Sequence, residues 1–201
     1  GSNDPSQDFA ATVRAIYQYH VLTNGWSDIG YQYQIDANGI VYEGRTSGPA
    51  SQSCFYGGDG SDFGHQSGTD YVVTGAHVGG YNSGNLGISL MGCFEPGQCT
   101  GNTTPTAAAI DALATQVSRL AQRHGLNPTG TTTYVNPVGG ASLKVPVLGA
   151  HRDWNATACP GASLYAPLAQ VRQTAVDRMA RVVVANPPYR MFTAPAEDRM
   201  T

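Results

Sequence analysis

The stretch "YQYQIDANGIVYEG", residues 31 to 44, constrains the fold more than any other. Two short alternating runs flank Asn38-Gly39, a dipeptide that favours the tight, primed type of β-hairpin turn because both residues tolerate left-handed backbone. An antiparallel strand pair is expected here, and the rest of the chain must cover it. Upstream, Asp4-Pro5 reads as an N-cap followed by Pro at the first helical position. Phe9, Val13, Ile16, Tyr17 and His20 then recur at helical spacing as far as the C-capping pair Asn24-Gly25. Downstream, "YVVTGAHV" (71–78) and "NLGISLMG" (85–92) read as apolar strands on either side of "GGYNSG". A second helix opens at Thr104-Pro105, carries Ile110, Leu113, Val117 and Leu120 as its buried stripe, and ends at His124-Gly125. "TTTYVNP" and "LKVPVL" read as further strands. A last helix runs from about Ser163 to Val183, with Leu164, Leu168, Val171, Ala175 and Met179 inward.

Helices and strands alternate, so the expected class is α/β (α+β): a mixed central sheet flanked by helices. Residues 1–185 are expected to form one domain. Residues 46–69 are rich in Gly, Ser and Asp and too long for an ordinary connection, so they read as a surface insertion. After Asn186-Pro187-Pro188 the pattern stops, and 186–201 reads as a tail or linker.

Composition excludes some functions. Apolar residues make up 41% of the chain and charged residues 12%, with a net charge of -3 and a single lysine, Lys144. Without a Lys/Arg-rich run, a phosphate-tracking surface and a nucleic-acid partner are not expected. No apolar run approaches the roughly 18 to 20 residues that span a bilayer. A polar, weakly charged surface rich in Gly, Thr, Ser and Asn fits an extracytoplasmic protein. "CFEPGQC" holds a Pro-Gly turn between Cys93 and Cys99, so a disulfide between them is expected in an oxidising compartment. Cys54 has no obvious partner.

In "GAHRDWNATACPG", His151 and Cys159 stand eight residues apart, after the apolar run "LKVPVL". Zinc takes imidazole nitrogen and thiolate sulfur, and catalytic sites usually have three protein ligands and an open position. The spacing alone leaves two readings open: half of a zinc site, or a core histidine and an unrelated buried thiol.

Three blocks occur in order: "YHVLTNGWSDIGYQYQIDANGIVYEGR", "GAHVGGYNSGNLGISLMG" and "GAHRDWNATACPG". Together they closely resemble the peptidoglycan recognition protein family, whose zinc-dependent members are N-acetylmuramoyl-L-alanine amidases. The resemblance runs from about Thr12 to Val171, apart from the 46–69 insertion. It implies His151 and Cys159 as zinc ligands. It implies Tyr31 as the residue that orients or stabilises the attacked carbonyl and the zinc-bound water, with Thr157 assisting at the oxyanion. His20, His77 and Asn82 match residues lining the groove around the muramyl-peptide stem. No role is implied for His65 or His124.

One departure accompanies the resemblance. The family's third ligand is a histidine at the end of a strand that precedes the first helix, and this sequence opens at "GSNDPSQDF", at that helix. The expectation is a domain lacking that strand and that ligand, inactive or nearly so by itself. The resemblance thus implies zinc-dependent hydrolysis of the amide joining N-acetylmuramic acid to L-alanine, by a secreted or cell-wall-associated monomer that meets peptidoglycan or muramyl peptides. The alternatives are a binding module that does not cut, or an inactive piece of the amidase.

Overall fold

The computed structural model describes residues 3–45, 72–136 and 142–180 and the backbone of 189–190. The expected insertion at 46–69, with Cys54 and His65, lies outside the described residues, as does most of the expected tail.

The first helix, α1 (Phe9–Gln18), starts later than Asp4-Pro5 predicts. The cap is Asp8, whose side chain accepts the Ala11 N–H at 3.0 Å, while Asp4 instead closes a small turn with Ser6. Phe9 and Val13 are its buried residues. After Gln18 the chain widens into a π-helical turn, Tyr19–Thr23.

The hairpin is present as β1 (Tyr33–Ile35) and β2 (Val41–Glu43), paired antiparallel with Gln34 opposite Tyr42. Its turn is not the two-residue primed type. Gly39 alone takes positive φ, at 80°, and its N–H donates to the Asp36 carbonyl at 3.0 Å. Asp36 Oδ1 collects the N–H groups of Asn38 and Ile40, so the carboxylate organises a longer loop. All six residues of β1 and β2 are buried.

Among the described residues 72–78 the expected strand does not form: Val72 alone makes a bridge, and 73–78 are loop. The next run narrows to β3 (Ile88–Leu90), parallel to β1. Residues Tyr189–Arg190 form β6 and pair parallel with β2, so two residues of the expected tail join the sheet. The order β3-β1-β2-β6 is mixed, as expected. The strands β4 (Thr131–Val135) and β5 (Ser142–Pro146) form a separate two-stranded antiparallel ribbon.

Helix α2 (Ala107–His124) is capped by Thr106, whose hydroxyl accepts the Ala109 N–H, and stops at Gly125 in left-handed conformation. The predicted last helix is two: α3 (Ala162–Tyr165) and α4 (Leu168–Ala180). Pro167 stands between them; lacking an N–H, it cannot continue the ladder. Tyr33, Ile35 and Val41 pack with Leu113, Val117, Leu120, Leu168 and Val171 on one side of the sheet. On the other, Phe9, Val13, Ile29 and Tyr42 form a second core beneath α1. The disulfide Cys93–Cys99 is formed, as expected.

Candidate functional site

Tyr31 lies just before β1, where its carbonyl accepts the Arg45 N–H at 2.8 Å. Its ring stacks against His77 with centroids 5.9 Å apart and planes 22° apart. Burial, and secondarily the neighbouring Cys159, raises the phenol's pKa, so Tyr31 keeps its proton at neutral pH and can donate it to an oxygen.

His77 sits in the loop between Val72 and β3. Its backbone N–H and that of Val78 both donate to Asn82 Oδ1, each at 2.8 Å. The ring Nε2 lies 3.3 Å from the Asn85 carbonyl. Burial lowers its pKa to about 4, with smaller contributions from His151 and Arg45, so the imidazole is neutral. Gln32 ties both arms of this loop to the sheet: its Nε2 donates to the Val73 carbonyl at 2.6 Å, and its Oε1 accepts the Gly87 N–H at 2.7 Å. Gly87 is required for space, because a Cβ there would fall on the His77 imidazole.

The opposite wall is the segment after β5. His151 opens a single 3-10 turn (His151–Asp153) and Cys159 closes the loop that follows. The Arg152 N–H donates to the Cys159 carbonyl at 3.1 Å, drawing the two ends together. Asp153 accepts the Ala150 N–H and the Tyr165 hydroxyl, each at 2.8 Å. Burial lowers the pKa of His151. Cys159 is an exposed residue with a free thiol, yet crowding around the sulfur raises its pKa against an opposing effect of Arg152.

Tyr31, His77, His151 and Cys159 line one cavity of about 340 Å³, together with Trp154 and apolar residues that include Leu113, Leu148, Leu164 and Leu168. His20, Asn82 and Thr157 are not among its lining residues. His20 lies behind Tyr31, with ring centroids 6.5 Å apart; its Nδ1 accepts the Gly30 N–H at 3.2 Å, and Trp26 packs on it at 4.7 Å. Burial, then Arg45, lowers its pKa. Asn82 uses its side-chain oxygen to shape the His77 loop. Thr157 is exposed, and its hydroxyl oxygen accepts the Cys159 N–H at 3.2 Å.

The sequence reasoning passed over Trp154 and Gln32. Trp154 stood inside the quoted "HRDWNATAC", where an aromatic next to a candidate ligand was a usable signal. Gln32 carried no signal, since its value depends on two loops it meets only in the fold.

His151 and Cys159 offer the nitrogen and sulfur donors that zinc takes. The number falls short: among the described residues no group of three His, Cys, Asp or Glu side chains is arranged to hold a metal ion. By donor type the wall suits zinc; by donor count the described residues do not complete a catalytic site.

Known proteins share this architecture. The human N-acetylmuramoyl-L-alanine amidase is 30% identical over 164 residues, which are 80% of this chain and 21% of that protein. The chain therefore spans about a fifth of that relative's length. The crystal structure of drosophila peptidoglycan recognition protein SD superposes with a TM-score of 0.54 at 27% identity, covering 85% of this chain and 74% of that one. Peptidoglycan recognition protein LE, solved in complex with tracheal cytotoxin, a monomeric diaminopimelic acid-type peptidoglycan, shares the fold at a TM-score of 0.54 and 24% identity, over 85% and 72% of the two chains. The model of the N-acetylmuramoyl-L-alanine amidase family matches residues 2–162, a span that contains Tyr31, His77, His151 and Cys159, and this chain belongs to that family.

Proposed function

We propose that the chain is the peptidoglycan-processing domain of an N-acetylmuramoyl-L-alanine amidase, acting on the amide between N-acetylmuramic acid and L-alanine. The observation that carries this reading is the sharing of one cavity by a protonated phenol, Tyr31, and the donor pair His151 and Cys159. A carbonyl oxygen entering the cavity meets the Tyr31 hydroxyl, which donates a hydrogen bond that strengthens as negative charge develops on that oxygen. His77, neutral and stacked on Tyr31, limits the freedom of the phenol ring without adding charge. Trp154 and the leucines shield the reacting bond from bulk water. Thr157 acts by holding the Cys159 backbone, and His20 by supporting Tyr31 from behind. His20 and Asn82 bear on the muramyl-peptide stem through the loops they shape.

Zinc belongs to this reading with His151 and Cys159 as its ligands from the described residues, one donor fewer than catalytic zinc sites usually have. Secretion to the cell wall belongs to it too, supported by the Cys93–Cys99 disulfide. Among the described residues no helix is long and apolar enough to cross a membrane.

Among the described residues two donors stand together, not three, and that supports a second reading, recognition without cleavage. One experiment separates the two. The purified chain is incubated with insoluble peptidoglycan, with and without added zinc. Mass spectrometry of the soluble fraction looks for stem peptides with a free L-alanine amine, and the pellet is assayed for bound protein. Zinc-dependent release supports the amidase. Binding without release supports recognition only, and the absence of both binding and release overturns both readings.

A further inference from the structure

We propose that Glu95, in the loop closed by the Cys93–Cys99 disulfide, is a positioning residue that holds His151 and Cys159 in their mutual arrangement by bracing Arg152. The inference rests on the reading of those two residues as the zinc donor pair.

The disulfide loop touches Arg152 within the His151–Cys159 segment and the chain just beyond Cys159, at residues 161–163. Glu95 Oε2 accepts the Ala162 N–H at 2.8 Å and lies 3.6 Å from Arg152 Nη2. The neighbouring Phe94 carbonyl accepts the Ser163 N–H at 3.1 Å, and Gly161 runs so close to the Phe94 backbone that no Cβ fits between them. One carboxylate oxygen therefore holds both Arg152 and the start of α3. Arg152 in turn joins the two ends of the segment: its N–H reaches the Cys159 carbonyl, and its guanidinium donates to the Ala158 carbonyl while lying over the Tyr165 ring, 4.8 Å from the centroid. Within the disulfide loop, the Glu95 carbonyl accepts the N–H groups of Gln98 and Cys99, so closure of the loop fixes the residue that supplies the brace. The Ala162 N–H bond to the carboxylate is charge-assisted, the stronger kind of hydrogen bond, and the Arg152 guanidinium 3.6 Å away adds an ion pair on the same oxygen.

The test needs no turnover, so it remains readable if the chain proves to be a binder only. Imidazole carbon-proton NMR signals are assigned with single His→Gln variants, and amide hydrogen exchange is followed at Arg152. Glu95→Gln is expected to shift or broaden the His151 signal and to speed exchange at the Arg152 amide roughly tenfold, leaving His20 and His124 unchanged. Glu95→Asp, which keeps the charge, is expected to displace the His151 signal less than Glu95→Gln does. Reduction of the Cys93–Cys99 disulfide is expected to act as Glu95→Gln does. An unmoved His151 signal in Glu95→Gln overturns the proposal. So does movement of all histidine signals together, which marks general loosening, and so does equal displacement by Asp and Gln.

Discussion

The two walls of the cavity are built in opposite ways. The Tyr31–His77 wall is sheltered, and burial shifts its titrating groups to neutrality: the phenol keeps its proton and the imidazole stays uncharged. The His151–Cys159 wall is more open, and its Cys159 thiol is exposed. It owes its shape to polar ties, from Arg152 to the Cys159 and Ala158 carbonyls and from Asp153 to Ala150 and Tyr165. The first wall joins packing against a buried sheet to the side-chain ties of Gln32 and Asn82, while the second is a loop held mainly by hydrogen bonds between its own ends. Damage should therefore spread differently: a fault in the first wall should cost stability or chemistry at one residue, while a fault in the second should shift several groups at once.

The largest expected effect lies behind the second wall. Gly161 has a φ of 93° and no room for a Cβ against the Phe94 backbone. Gly161→Ala should cost about 4 kcal/mol or prevent folding, measured by urea denaturation, because strain and overpacking add. A loss under about 1 kcal/mol would mean that the segment yields easily and is not held by its ties.

The next effect belongs to the first wall. The His77 pKa falls from 6.5 to about 4 in the folded chain. The unfolded chain takes up a proton below about pH 6.5 that the folded chain refuses until about pH 4. The contribution is present in full above pH 6.5 and is lost as pH falls through that window, by at most about 3 kcal/mol. Stability measured against pH for the native chain and for His77→Gln should diverge in that window. Parallel curves would show that the imidazole titrates normally.

On the proposed amidase reading, in which the Tyr31 hydroxyl acts on charge that develops only in the transition state, Tyr31→Phe should lower kcat for stem-peptide release roughly 100-fold with KM little changed. Equal losses in kcat and peptide binding would move Tyr31 from the chemistry to substrate positioning. The smallest effect is at Asn82. Asn82→Ala leaves two N–H groups, those of His77 and Val78, without their acceptor and should cost about 1–2 kcal/mol. Asn82→Asp keeps the oxygen and should cost less, as thermal denaturation of the pair would show.

Much of this site was legible in the sequence, for identifiable reasons. The hairpin announced itself at Asn38-Gly39, although Asp36, by collecting two N–H groups, chose a longer turn than the dipeptide favours. The Cys93–Cys99 bridge was legible because a turn lies between its ends. His151 and Cys159 were legible as a pair only through the resemblance carried by the three ordered blocks, since their spacing alone left two readings open. The run 71–78 misled because its apolar residues imitate a strand, whereas Gln32 and Asn82 hold it as a loop around His77. The continuous last helix misled because its apolar stripe crosses Pro167 without a break.

The sequence by itself determined the alternation of helices and strands and the family, and it singled out the side chains for which the chemistry is proposed. These are properties of local pattern and of residue type. Tertiary structure alone decided that Tyr31 and His77 stack, that His20, Asn82 and Thr157 stand outside the cavity, and that the disulfide loop reaches Arg152 through Glu95. Each of these depends on segments far apart in the chain being brought within a few ångströms. The burial that sets the protonation of Tyr31 and His77 exists only once those segments have packed.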